Sequence, residues 1–162
     1  MGDNTLTSLL ILARDTVRDP KTGARRVLSL PLPPRAAWDG LALVLLLSLI
    51  LGYLTTMLLG VPADPLLPGF APSPLRAAVV QGGALLVMIG AIYGVGRMMG
   101  GTGSLEGTVR LTAWLQFIML LLQVVQTVFL VILPGVAGLI GMLSIGLMLW
   151  LLTNFIAVLH GF

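Results

Sequence analysis

Apolar residues dominate four long stretches of the chain, approximately 38–60, 77–96, 111–134 and 136–159. Each holds about 20 consecutive residues without Asp, Glu, Lys or Arg, the length an α-helix needs to cross roughly 30 Å of hydrocarbon. The runs are continuously apolar instead of alternating, which favours helices over the strands of a membrane barrel. The expected fold class is all-α: an integral membrane bundle of four transmembrane helices with an amphipathic N-terminal cytoplasmic arm. The arm is expected over 1–37 and the membrane domain over 38–162.

A different periodicity precedes the first stretch. Leu6, Leu9, Leu10, Ala13 and Val17 recur on one face of a helix over residues 4–18, with Arg14, Asp15 and Arg18 elsewhere on its circumference. Asp3 or Asn4 is placed to cap its start and Pro20 to limit its end. Two readings stand side by side. The arm lies on the inner leaflet, with Arg14, Arg18, Lys21, Arg25 and Arg26 facing anionic lipid, or it packs on the protein's own loops or a partner. Downstream, the prolines of LPLPPRAAWDG (30–40) favour an extended approach to the membrane, where Trp38 suits the interface.

Polar positions inside the spans are few and patterned. Thr112, Gln116, Gln123, Gln126 and Thr127 fall on one side of the third helix. An unpaired amide in hydrocarbon costs several kcal/mol, so this stripe must face other helices or trapped water. Gln81, Ser144 and Asn154 are the expected partners, Asn154 belonging to the same polar intramembrane face. Interhelical hydrogen bonding, a wet cavity and a subunit interface are the alternatives. Small residues form a second pattern: Gly90 with Gly94, and Gly135, Gly138 and Gly141. They are expected to let helices approach closely within the chain, with dimerisation as the other reading.

Charge orients the bundle. Of nine basic residues, six precede the first span, Arg97 and Arg110 flank the loop between spans two and three, and Arg76 alone lies near the other face. The positive-inside rule therefore puts the N-terminus, the 97–110 loop and the C-terminus in the cytoplasm. The expected location is the plasma membrane, and the opening Met1-Gly2-Asp3-Asn4 makes a poor secretory signal, so no cleavage is expected.

Composition narrows the chemistry. Hydrophobic residues make up 57% of the chain and charged ones 9%, and there is no cysteine and one histidine, His160. Thiol chemistry is excluded, and no catalytic residues, metal site or cofactor are expected. The span centres carry no ionisable residue, which disfavours ion-coupled transport and channels. Basic residues without an aromatic stacking platform argue against nucleic acid.

The loop RMMGGTGSLEGTVRLTAW (97–114) contains neither a P-loop lysine nor a strand before its glycines, so it is read as a turn and a helix start. Gly100, Gly101 and Gly103 are expected to end the second span and reverse the chain. Ser104 or Thr102 then caps the next helix, with Glu106 in its first turn. The motif Gly100-Gly101, Gly103-Ser104, Glu106, Arg110 and Trp114, together with a last span ending in His160-Gly161, resembles the bacterial branch of the Yip domain family (Ypt-interacting proteins). The arm segment DPKTGARRVL resembles that family's Pro-containing arm. Members are often described with five spans, whereas Arg110 to Phe162 has room for two. The longer acidic region and Tyr-Gly-Pro motif of the eukaryotic branch are absent, so GTPase binding is not carried over. The resemblance implies a membrane-shaping or adaptor protein more than an enzyme.

The function expected is a non-catalytic inner-membrane helper: a scaffold, assembly factor or accessory subunit. The alternative is a small permease or lipid-moving protein using the polar face of the third span. Expected partners are the phospholipid membrane, anionic lipid within it, and another membrane protein or a second copy of the chain.

Overall fold

The structure is a computed structural model that describes residues 3–59 and 73–162, leaving aside the side chains of Asp3, Asn4 and Leu58. The cap expected from Asp3 or Asn4 and the end of the first span at residue 60 lie outside the described residues. Among the described residues six helices follow one another: α1 (Asp3–Arg18), α2 (Pro20–Ser29), α3 (Pro34–Leu59), α4 (Pro74–Met98), α5 (Leu105–Ile132) and α6 (Pro134–His160). The last four are long and apolar enough to cross a membrane. The chain is an all-α membrane bundle.

Local chemistry sets the helix boundaries, and they extend beyond the apolar runs. Pro34, Pro74 and Pro134 each open a helix, where a missing N–H costs nothing and φ is already helical. Pro34 therefore starts α3 four residues before Trp38, and the extended approach expected over 30–40 shortens accordingly. Leu133 closes α5 and opens α6, so these two spans are joined by a single residue. Ser104 is the cap of α5: its Oγ accepts from the Gly107 N–H at 3.0 Å.

α2 is an element that periodicity did not predict. Asp19 is its N-cap, accepting from the Thr22 N–H at 3.1 Å, and Pro20 occupies its first turn. The hydrogen bond from Thr22 holds the Asp19 carboxyl below its usual range. That stabilisation is therefore present above the ordinary carboxylate pKa and is lost as pH falls through the depressed value. Pro20 thus starts one helix as well as ending another. The two short helices pack closely because Gly23 faces Thr16, where a Cβ would come within 2.7 Å of the threonine carbons.

This hairpin is part of the core. Ala13, Ala24 and Val27 are buried with Leu111, Trp114, Leu115 and Ile118 of α5 and Leu151, Phe155 and Leu159 of α6. A second cluster joins Ala37 and Leu41 of α3, Leu85 and Ile89 of α4 and Val109 of α5. α5 is the central helix, packing chiefly against α3 and α6. Dense packing gathers at the bundle end that holds the hairpin, the α4–α5 loop and the end of α6. Farther along the spans, Leu46, Leu47, Ile50, Val131, Met142, Leu143 and Ile145 are exposed, as helices bathed in lipid require.

Candidate functional site

The glycine loop and the end of α6 meet around one imidazole. His160 is 2% exposed, and its ring lies against Gly96, Gly101 and Gly103. A Cβ added at Gly103 would stand 2.7 Å from the His160 Cε1, and one at Gly96 or Gly101 would come closer still. Nε2 sits 3.1 Å from the Ile92 carbonyl. A carbonyl oxygen only accepts, so Nε2 carries the proton in this contact. Nδ1 is buried with no hydrogen-bond partner among the described residues. Phe162 stacks on the ring at a centroid distance of 5.7 Å.

The backbone fastens the same junction. The Thr102 N–H donates to the His160 carbonyl at 3.2 Å, and Gly101 N–H to the Gly96 carbonyl at 2.9 Å. Among the loop glycines Gly100 alone has positive φ, 89°. Gly100 thus reverses the chain as expected, whereas Gly101 and Gly103 are needed for a different reason: any side chain would strike His160. Gly161, at φ 76°, closes α6 in the left-handed conformation that favours glycine.

One turn farther along α5, Arg110 clamps the connection between the hairpin and α3. Its Nη1 donates to the Leu30 carbonyl at 2.8 Å, and its Nη2 to the Leu32 carbonyl and to Glu106. Planar donors on a fork suit several acceptors at once, which a lysine ammonium could not serve in this geometry. Trp114 follows on the same helix, its indole N–H donating to Thr16 Oγ at 3.2 Å. Thr16 Oγ donates in turn to the Leu12 carbonyl at 2.7 Å, so both buried groups are satisfied. Every residue of the loop motif and of the C-terminal His-Gly therefore falls at one end of the bundle.

The profile of the Yip1 domain matches residues 14–162. The chain belongs to the Yip1 domain family. It is thereby a multi-pass membrane protein of a family that is generally non-enzymatic. No curated protein and no solved structure matches it. In this Yip1 domain the match takes in residues 14–18 of α1, the whole of α2 and all four spans.

The polar side of α5 in the Yip1 domain is divided between two neighbours. Gln123 and Ser48 of α3 bond reciprocally: Ser48 Oγ donates to Oε1 at 2.6 Å, and Nε2 donates to the Ser48 carbonyl at 3.1 Å. Thr127 lies 3.4 Å from Thr55 of the same helix. Gln126 turns to α6 and donates to the Ala137 carbonyl at 3.3 Å. Thr112 is buried, and Gln116 is half-buried. The partners are not the expected ones. Ser144 and Asn154 bond to carbonyls of their own helix, Ile140 and Trp150. Asn154 thus stands apart from the α5 row, and Gln81 lines a cleft of about 310 Å3 with Ser48, Thr56 and Gln123.

The small residues are corrected more sharply. No described residue lies within 4 Å of a Cβ at Gly90, Gly94, Gly135 or Gly138, so these positions do not pack against the described helices. Gly141 does, since a Cβ there would sit 2.9 Å from Gln126 Nε2. On the arm, Leu9, Ala13 and Val17 pack into the protein core while Leu6, Leu10 and Ile11 remain exposed. Arg14, Arg18, Lys21, Arg25 and Arg26 are all exposed.

Proposed function

We propose that this protein is a non-catalytic scaffold or accessory subunit of a bacterial inner membrane, with both termini and the α4–α5 loop in the cytoplasm. The interlocked end of the bundle carries this reading. Three separate chain segments are fastened there by His160, Arg110 and Trp114, and the product is a rigid platform built beside the membrane surface. Arg110, Trp114 and His160 direct their hydrogen bonds at holding that platform and not at a substrate. The excess of basic residues on this face supports the orientation.

Within the membrane, the pairing of Gln123 with Ser48 supports a structural role for the α5 stripe. It also weighs against a permeation path along it. Gln123→Leu is expected to lower thermal stability in detergent by about 1 kcal/mol, in line with interhelical hydrogen bonds averaging roughly 0.6 kcal/mol each. Partner binding should survive it. A variant of unchanged stability that loses movement of a solute in vesicles would favour the permease instead. The main test is purification of the tagged full chain in nanodiscs, with mass spectrometry of what accompanies it. A stoichiometric membrane complex supports the accessory role, and recovery of the chain alone with a bound small molecule overturns it.

A further inference from the structure

Beside the platform, α2 and the end of α6 diverge to leave an open groove of about 630 Å3. One wall presents Lys21 and Arg25, one helical turn apart and both exposed. Leu28, Ala157, Val158 and Phe162 supply an apolar floor. Neither cation forms an ion pair among the described residues. Arg14 and Arg26 share Asp15, Arg35 meets Asp39, and Arg110 meets Glu106, while Arg18 and Arg97, which form no ion pair among the described residues either, do not line the groove. Asp19 feels the charge of Arg25, but its carboxylate is engaged with Thr22 as the cap of α2.

The level of the groove identifies what can reach it. α6 has 27 residues, so at 1.5 Å per residue it spans about 40 Å and exceeds a hydrocarbon core of about 30 Å. This excess length places its last turn at the level of the headgroups, with Val158 and Phe162 at their boundary with the acyl chains. A pair of free cations above an apolar floor is complementary to a phosphate joined to hydrocarbon. A zwitterionic headgroup fits less well, because its own ammonium would meet Lys21 and Arg25.

We infer that the groove between α2 and α6 is a binding site for one anionic phospholipid, with its phosphate at Lys21 and Arg25 and an acyl chain over Val158 and Phe162. The inference rests on the membrane placement proposed above but not on the scaffold reading. A failure to find a protein partner would leave it standing.

The test is native mass spectrometry of the full chain released from nanodiscs of phosphatidylcholine with phosphatidylglycerol. One phosphatidylglycerol is expected to stay bound while phosphatidylcholine is lost. Replacing both cations, Lys21→Ala with Arg25→Ala, should reduce its retention roughly thirtyfold, the worth of two surface cations. The exchange Lys21→Arg with Arg25→Lys should preserve it, as should Arg35→Ala, a basic position elsewhere. Equal retention in the double alanine variant overturns the site, and so does equal loss in Arg35→Ala. Protection by free inorganic phosphate without any bound lipid would also overturn it.

Discussion

Gly96→Ala is expected to destabilise the protein by about 1–3 kcal/mol, the usual penalty of overpacking a filled site. A methyl group at this position would fall on the His160 ring. The ring has little room to yield, because Gly101, Gly103 and Phe162 close it in. Gly94→Ala provides the contrast on the same helix. Its Cβ meets no described residue within 4 Å, so it should be neutral or slightly stabilising, by at most about 1 kcal/mol. Thermal unfolding in detergent measures both. Combining Gly96→Ala with His160→Ala should cost less than the sum of the two separate losses, because the clash disappears with the ring. Additive losses would show that the penalty at Gly96 arises elsewhere.

The second large effect concerns the docked hairpin. Trp114→Ala is expected to cost about 3–5 kcal/mol, as removing a buried aromatic from a packed core does. Trp114 is 8% exposed, touches Phe117 at a centroid distance of 5.3 Å and binds Thr16 across 98 residues of sequence. Its removal should release α1 and α2 from α5 before the spans separate. Trypsin cleavage at Lys21 and Arg25 then becomes faster at temperatures where the spans stay folded. Trp114→Phe keeps most of the volume and loses the indole donor, a change of about 1 kcal/mol. Thr16 retains its bond to Leu12 in that variant. Unchanged cleavage in Trp114→Ala would mean that the hairpin is held by other contacts.

The spans were legible because the bilayer leaves little choice: a backbone in hydrocarbon must satisfy its own hydrogen bonds, and long charge-free runs advertise the result. Their ends were less so, since a helix stops at a cap and not where apolarity fades. Ser104 reads as a cap, but Pro34 sits in a proline run that reads as extended chain although it opens α3. α2 escaped notice for a similar reason. Its buried face consists of Pro20, Gly23, Ala24 and Val27, mostly small residues with weak periodicity, although Asp19-Pro20 was a visible cap and first-turn signal. Gly90 and Gly94 show the opposite error, a packing spacing with nothing packed on it. The imidazole cage was hidden by distance along the chain. A glycine cluster and a lone histidine were each visible, but the need for Gly101 and Gly103 lies in a contact made more than 50 residues away.

The order in which these segments leave the ribosome gives the hairpin a waiting period. α1 and α2 emerge before the helices that cover them, because the surfaces that bury Ala13, Thr16 and Ala24 belong to α5 and α6. Their apolar side must therefore rest on lipid or on a chaperone until α5 and α6 are in place. His160 is added at the close of α6, and only then can the loop glycines find their filling. The platform is in this sense a record that α6 has been made: a chain arrested before α6 would carry the whole loop motif with nothing to fill it.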